Sequence, residues 1–166
     1  MVQVVAPGLR LGWVEGPPHL TSRLAASGYL LSGGSMNNLT SGIVTSLLSL
    51  GLLDTRLDDC RQLYKARMAA AVGLLEGLPE GWSVSDPGGG YFLWVTGPSD
   101  LTTFCSRLRQ EGVGMLVGAR ASSTSPPSCS SSFRLSIAYY TEERISEAVS
   151  TIVVRARGFQ EMSSPH

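Results

Sequence analysis

The chain has 166 residues, of which 43% are hydrophobic, so it is long and apolar enough for one domain or slightly more, which argues against wholesale disorder. Its formal net charge is zero and it carries no basic run, which argues against nucleic acid or an anionic membrane as the main partner. No segment is long enough to span a membrane and the N-terminus lacks a signal-peptide pattern, so we expect an intracellular, soluble protein of the cytoplasm or of mitochondria.

The first predicted element is a strand over residues 8–16, which follows a Pro7-Gly8 turn. Its apolar side chains alternate with Arg10 and Gly12, so the arginine shares a face with the space that the glycine leaves. An arginine among apolar neighbours favours a bound anion, because an unpaired buried charge is costly. A surface arginine on an edge strand is the alternative interpretation.

Helices dominate the next segment. A short helix is predicted over about 19–27, followed by a glycine-rich loop over 28–38. Asn37 or Asn38 then caps a helix that ends near Leu50, with Gly51 at its C-terminus. Four residues of this helix are expected to face a core: Ile43, Leu47, Leu48 and Leu50.

A longer helix is predicted from Asp54 or Thr55 to about Gly77. One stripe at helical spacing indicates its buried face, and it consists of Leu57, Cys60, Tyr64, Met68, Ala71 and Leu75. Lys65, the single lysine of the chain, lies on the flank of this stripe. We therefore expect Lys65 to be a solvated helix lysine.

Strands and helices alternate in the second half. Strands are predicted over 82–85 and 91–95, on either side of a glycine-rich turn. A helix from Asp100 or Thr102 to about Gln110, a strand over 113–117 and a mobile Ser/Pro-rich loop over 122–132 follow. The chain ends with a strand over 133–139, a helix from Thr141 to about Arg157, and a frayed tail from Gly158.

The strand predicted over 133–139 repeats the pattern of the first one. Its alternation directs four side chains to the core: Phe133, Leu135, Ile137 and Tyr139. Arg134 lies on the opposite face beside the small residues Ser136 and Ala138. A solvated strand arginine and an anion-binding arginine both fit this pattern.

The cysteines and histidines indicate no further site. The three cysteines are far apart and odd in number, so the sequence predicts reduced thiols rather than a disulfide framework. Neither histidine has a partner at metal-ligand spacing, so no metal site is expected.

Two stretches resemble one enzyme family. The run Ala6-Pro7-Gly8-Leu9-Arg10-Leu11-Gly12-Trp13 resembles the segment just after the cofactor lysine in fold-type I aminotransferases that use pyridoxal 5'-phosphate (PLP). It is most similar to the subgroup of 2-aminoadipate and kynurenine aminotransferases. The run from Pro87 to Trp94 resembles the small-domain hairpin of the same enzymes. The resemblance covers nearly the whole chain but less than half of a usual aminotransferase.

The resemblance implies an α/β fold that combines a C-terminal remnant of the large PLP domain with the small α+β C-terminal domain. By this mapping the large-domain remnant is 1–53, the linking helix 54–78, the small domain 79–158 and the tail 159–166.

The resemblance also implies site residues and a cofactor. Arg10 is the residue that would hold the phosphate of PLP, and Arg134 the residue that would bind the substrate carboxylate. Asn37 and Tyr91 are weaker candidates for lining the pocket. The column of the lysine that carries the cofactor falls on Gln3, and the family residues that hold the PLP ring lie upstream of that lysine.

Three functions stay open at this point. The first is a PLP-dependent aminotransferase, acting on an amino acid and a 2-oxo acid, that is truncated and inactive as this chain and assembles as a homo- or hetero-dimer. The second is a non-catalytic binding or regulatory subunit that pairs with a full-length aminotransferase. The third is an enzyme that uses Lys65, which requires Lys65 to lie near Arg10. The first predicts that helices which would pack on the absent part of the large domain leave apolar surface exposed.

Overall fold

A computed structural model describes residues 7–31, 37–85, 87–123 and 129–163. The chain divides into two compact units, Met1–Gln62 and Leu63–His166. The division lies within a single long helix, Leu52–Leu75.

The first unit is helical in its described part. A 3-10 turn over Pro7–Leu9 precedes helices α1 (Pro18–Ala25), α2 (Gly28–Leu31) and α3 (Asn38–Ser49), and the long helix α4 (Leu52–Leu75) begins in this unit. The helices predicted over 19–27 and 37–50 are confirmed, and α4 begins two residues before Asp54. Helix α2 occupies part of the predicted loop over 28–38, and residues 32–36 of that loop lie outside the described part.

The strand predicted over residues 8–16 is wrong. Arg10 takes a left-handed φ of +50°, and residues 11–17 form no regular element. A strand has to satisfy its backbone groups by pairing, and the described residues of the first unit contain no strand that could serve as a partner. Alternation alone therefore misled the prediction.

Little of the first unit is buried. Val44 of α3 and Leu53 of α4 form a small core, against which the half-buried Leu9, Leu11 and Leu47 pack. Of the four residues that were expected to face a core in α3, Leu47 is half-buried, whereas Ile43, Leu48 and Leu50 are exposed. Gly51 has a φ of +66°, a conformation that glycine adopts without strain, and ends α3 as predicted.

The second unit contains a four-stranded sheet. Its strands are β1 (Ser83–Val84), β2 (Phe92–Thr96), β3 (Leu116–Val117) and β4 (Ser132–Ser136), in the order β1-β2-β4-β3. All neighbouring strands are antiparallel. Each of the four predicted strands is present; β2 keeps the predicted length but begins one residue later, and the other three are shorter than their sequence patterns suggested. The predicted loop over 122–132 includes residues 124–128, which lie outside the described part, and it ends at β4.

One face of this sheet packs on three helices. Leu93 and Val95 of β2 lie in one buried cluster with Phe133 and Leu135 of β4. The helices contribute residues to the same cluster from the second half of α4, from α5 (Thr102–Gln110) and from α6 (Glu142–Ser163), and these are Ala71, Leu75, Phe104, Cys105, Leu108, Ile145, Val149, Ile152, Val153 and Ala156. The predicted apolar stripe of the long helix is confirmed, since each of its six residues is buried or half-buried.

Two predictions near the C-terminus are wrong. Tyr139 is 86% exposed rather than buried, because β4 ends at Ser136 and the chain bends over residues 138–140. Helix α6 continues to Ser163, so the chain does not fray at Gly158.

Gly118 allows a close approach between two segments of backbone. It follows β3 and begins a 3-10 turn over Gly118–Ala121. A Cβ at this position would lie 2.2 Å from the carbonyl oxygen of Cys129 and 2.7 Å from that of Ser132. Because both contacts are with backbone, no side-chain rotation could relieve them.

Candidate functional site

Arg134 lies in the middle of β4, on the face of the sheet that is turned away from the buried cluster. Its Cα pairs with that of Trp94 in β2 and with that of Leu116 in β3. Directly opposed residues of antiparallel strands share a face. The flanking residues Phe133 and Leu135 point into the core, so the backbone of Arg134 is fixed by packing on both sides.

The guanidinium of Arg134 stacks on an aromatic ring. Its central carbon lies 4.0 Å from the centroid of the Phe92 ring, well inside the range of about 6 Å for a cation–π contact. Within the described ranges, no hydrogen bond or ion pair engages Arg134. Its five N–H donors are therefore free to bind a ligand, and their planar arrangement matches the two oxygens of a carboxylate.

Tyr91 immediately precedes β2 and is half-buried. Its ring centroid lies 4.7 Å from that of Phe92 and 5.6 Å from that of Tyr64 in α4. Its carbonyl oxygen accepts a hydrogen bond of 3.0 Å from the amide of Ile137, which extends the β2–β4 pairing by one residue. Tyr91 thus supports Phe92, which contacts Arg134.

Arg67 of α4 was not singled out from the sequence. Its Nη1 donates hydrogen bonds to the carbonyl oxygens of Ala138, at 2.8 Å, and Ile137, at 3.4 Å. Its guanidinium lies 5.9 Å from the Tyr64 ring centroid. Arg67 therefore ties the chain just beyond β4 to the long helix. These groups are about seventy positions apart in sequence, and no local pattern could have paired them.

Arg10 lies in the first unit, on an exposed segment between the 3-10 turn and α1. Its neighbours Leu9 and Leu11 pack partly on Val44 and Leu53, which anchors the backbone on both sides of the arginine. Within the described part of the chain, the guanidinium of Arg10 has no hydrogen-bond or ion-pair partner. A Cβ at Gly12 would meet no atom within 4 Å, so the surroundings of this glycine are open.

Asn37 contacts the segment that carries Arg10. Its Nδ2 donates a hydrogen bond of 3.0 Å to the carbonyl oxygen of Leu9, the residue before Arg10. Asn37 occupies the N-cap position of α3, but its side chain makes no capping hydrogen bond to that helix. The side chain of Asn37 therefore holds the turn before Arg10 rather than capping the helix.

Two positions bear on how a cofactor could be attached: Gln3 and Lys65. Gln3, in the column of the expected lysine, lies outside the described residues. Lys65 is exposed on α4 and belongs to the second unit, whereas Arg10 belongs to the first.

Burial raises the pKa of Cys105 to about 11, so this thiol stays protonated at neutral pH and is a poor nucleophile.

The described ranges contain neither a metal-binding cluster nor a helix suited to crossing a membrane. Among those residues, no group of three or more histidine, cysteine or acidic side chains could hold a metal ion. None of the described helices combines the length and the apolar character that crossing a membrane would require.

Comparison with known proteins decides the family. The model of the family "Aminotransferase class I and II" matches residues 3–152. The chain belongs to this family. This confirms the resemblance that the motifs around Arg10 and Tyr91 indicated.

Individual aminotransferases show the same relationship. Aromatic-amino-acid aminotransferase 1 of Thermococcus litoralis is 26% identical over 148 residues, which are 89% of this chain and 35% of that protein. The multiple substrate aminotransferase of Thermococcus profundus has a TM-score of 0.82 at 28% identity, over 95% of this chain and 39% of that chain. The kynurenine aminotransferase of Pyrococcus horikoshii has a TM-score of 0.81 at 25% identity, over 96% and 39%. The chain therefore has the fold of part of a fold-type I aminotransferase and spans well under half the length of these relatives.

The residues present fit an anionic cofactor group. Arg10 offers an unpaired guanidinium on an exposed segment, and a Cβ at the nearby Gly12 would meet no atom within 4 Å. A phosphate accepts charge-assisted hydrogen bonds from arginine more strongly than neutral acceptors do. The chemistry of this position is thus compatible with the phosphate of PLP.

Proposed function

We propose that this chain supplies two anion-binding residues of a PLP-dependent aminotransferase: Arg10 for the cofactor phosphate and Arg134 for the carboxylate of an amino acid or 2-oxo acid. The observation that carries the proposal is the state of Arg134, whose backbone is fixed in a packed sheet while its N–H donors are unpaired within the described chain. An arginine held in this way is arranged to bind a carboxylate through two parallel hydrogen bonds.

Arg10 alone would hold PLP weakly. Hydrogen bonds to a charged group contribute about 1.5–3 kcal/mol, whereas a dissociation constant of 1 mM already requires about 4 kcal/mol. PLP, when bound, supplies an electron sink for the carbon that bears the amino group. Arg10 would anchor its phosphate, and Asn37 would hold the backbone beside that anchor through the Leu9 carbonyl.

We further propose that the chain as given does not transfer amino groups by itself. Gln3 stands where the family motif places the lysine that carries the cofactor and moves the proton. Loss of the residue that transfers the proton lowers a rate by about 10²–10⁴. An amide side chain cannot replace an amine in either role.

Borohydride trapping tests this proposal. The purified chain and its Gln3→Lys variant are incubated with PLP and reduced, and the labelled residue is mapped by mass spectrometry, with denatured chain as the control for nonspecific labelling. We expect no stoichiometric adduct in the folded original chain, and an adduct at residue 3 in the variant. Adding Arg10→Gln should reduce that adduct severalfold, whereas Arg23→Gln, at another exposed arginine of the first unit, should not. A folded-state adduct at Lys65, or no dependence on Arg10, would contradict the proposal.

A second candidate is a non-catalytic subunit that pairs with a full-length aminotransferase. The observation that favours it is the exposed apolar surface of the first unit, where Tyr29 is 81%, Leu39 79% and Leu50 70% exposed. Burial of these side chains against a partner would remove apolar surface from water, which favours association. Size-exclusion chromatography with light scattering, on the chain alone and mixed with a full-length aminotransferase subunit, separates the two candidates. A stable mixed complex supports the second candidate, and a soluble monomer that ignores the added subunit contradicts it.

A further inference from the structure

The contact between Phe92 and Arg134 is part of a longer row of side chains. The rings of Tyr64, Tyr91 and Phe92 follow one another at centroid separations of 5.6 and 4.7 Å. A guanidinium lies at each end of the row, Arg67 near Tyr64 and Arg134 on Phe92. All of these residues belong to the second unit.

Hydrogen bonds to backbone groups anchor the row at Arg67, at one end, and at Tyr91, in the middle. Arg67 donates to the carbonyl oxygen of Ala138, just beyond β4, and Tyr91 accepts from the amide of Ile137. Phe92 pairs with Ser136 across the sheet, two residues from Arg134 on the same strand. The position of the Phe92 ring relative to Arg134 is therefore set by strand register and by the ring packed behind it.

This arrangement affects the ligand-binding capacity of Arg134. A free arginine side chain samples many rotamers, and fixing it costs up to about 2 kcal/mol. A ring that covers one face of the guanidinium restricts this motion and leaves the in-plane donors uncovered. The ordering cost is then met during folding instead of during binding.

We propose that Phe92 is a positioning residue that holds the guanidinium of Arg134 in a single orientation with its donors directed to a carboxylate ligand. The proposal rests on the proposed carboxylate-binding role of Arg134. Phe92 acts through Arg134, and Tyr91 and Tyr64 support the Phe92 ring from behind.

The test uses the full chain and acetate as the carboxylate probe. The Nε–Hε signal of Arg134 in a ¹⁵N-labelled sample, assigned by its disappearance in Arg134→Lys, gives both an order parameter and an acetate titration. Phe92→Leu removes the ring and keeps an apolar side chain, whereas Phe92→Tyr keeps the ring. Tyr139→Leu, at an exposed aromatic that contacts the Tyr140 ring, is the matched control.

We expect an ordered Arg134 side chain in the original chain and an order parameter below about 0.6 in Phe92→Leu. The acetate dissociation constant should rise about two- to fivefold in the same variant, which is the range of an exposed cation–π contact. Phe92→Tyr, which keeps the ring, should keep both the order parameter and the acetate dissociation constant of the original chain. Tyr139→Leu should change neither quantity. Backbone amide signals of β2 and β4 verify that the sheet is intact in each variant.

The failure of this proposal is distinguishable from the failure of the proposed function. An unchanged Arg134 order parameter in Phe92→Leu overturns the positioning role, whatever acetate does. If Arg134 loses order in Phe92→Leu but its signal ignores acetate in the original chain, positioning is supported and the carboxylate-binding role is contradicted.

Discussion

The two arginines that the motifs indicated lie in units that are built very differently. Arg134 is on the central strand pair of a sheet whose opposite face packs on three helices. Arg10 is on an irregular segment that is held by two half-buried leucines and one hydrogen bond from Asn37. A binding residue on a packed strand keeps its geometry without a ligand, whereas a binding residue on such a segment is ordered by whatever contacts it.

The same contrast applies to stability. The second unit buries a continuous cluster from β2, β4 and three helices, whereas the small core of the first unit is centred on Val44 and Leu53. Burial of apolar surface is the main term that offsets the loss of chain entropy on folding. We therefore expect the second unit to be the stable part of the chain and the first to unfold at lower denaturant concentrations.

The largest difference is expected for one substitution made in both units. Leu108 of α5 is fully buried, and Leu108→Ala should destabilise the second unit by about 2–5 kcal/mol through lost burial and a residual cavity. Leu39 of α3 is exposed, and Leu39→Ala should change stability by no more than about 0.5 kcal/mol. Denaturant-dependent hydrogen exchange, read separately for peptides of α5 and α3, measures both. Equal losses of stability from the two substitutions would contradict the expected difference in core packing between the two units.

Gly118→Ala should also destabilise the second unit, through overpacking instead of a cavity. The new Cβ would collide with two backbone carbonyl oxygens, and we expect a loss of about 1–3 kcal/mol. Gly114→Ala is the matched control, because a Cβ there would meet no atom within 4 Å. Urea unfolding followed by tryptophan fluorescence, to which Trp82 and Trp94 of the second unit contribute beside Trp13 of the first, gives the comparison. A neutral Gly118→Ala would mean that the 129–132 segment moves away at little cost.

A pair of glycines probes whether the first unit is formed at all. Gly51 has a left-handed φ of +66°, so Gly51→Ala should destabilise the end of α3 by about 1–2 kcal/mol. Gly42 lies inside α3 with open space around it, so Gly42→Ala should stabilise that helix by about 0.5–1 kcal/mol. Circular dichroism during thermal unfolding records the opposite signs. If neither variant shifts the transition, the first unit contributes no cooperative structure.

The structure of the second unit was predicted better from the sequence than that of the first. The reason is that strand pairing and helix packing both act on the strands of the second unit. In β2 and β4 the alternation of buried and exposed residues coincides with a partner strand and with helices that cover the apolar face. Around Arg10 the same alternation occurs without a partner strand. The chain there forms a 3-10 turn from Pro7 and a left-handed conformation at Arg10 instead of a strand. Alternation is reliable only where a strand can pair.

At the candidate site, the sequence could not predict contacts between residues that are distant along the chain. The sequence placed Arg134 on a strand with small neighbours, and the family motif suggested its role. It could not place Phe92 on Arg134, because that contact depends on strand register, or bring Arg67 of α4 to the chain beyond β4. Tyr139 shows a different kind of error. The alternation of apolar residues continues to Tyr139 in the sequence, but β4 ends at Ser136 and Tyr139 is exposed.

The smallest expected effect is a pH-dependent one at the start of α5, in the stable unit. Asp100 accepts a hydrogen bond of 2.7 Å from the backbone amide of Thr102, and this bond lowers the pKa of its carboxyl below the usual value of 3.8. The folded state thus binds this proton less readily than the unfolded state does. The stabilisation is complete above about pH 4 and is lost as the pH falls through the lowered pKa of the folded chain.

Asp100→Asn keeps an oxygen acceptor but removes the charge at the helix N-terminus. At neutral pH we expect it to destabilise the second unit by about 0.3–1 kcal/mol, the usual size of a helix-dipole contribution. Below the lowered pKa, variant and original chain should have the same stability, because the original carboxyl is then neutral too. The difference between the two chains isolates Asp100 from Glu143, whose pKa is also lowered by hydrogen bonding and which titrates in both. Urea unfolding at a series of acidic pH values measures this difference, and a gap that persists at the lowest pH would assign the effect to hydrogen-bond geometry instead of charge.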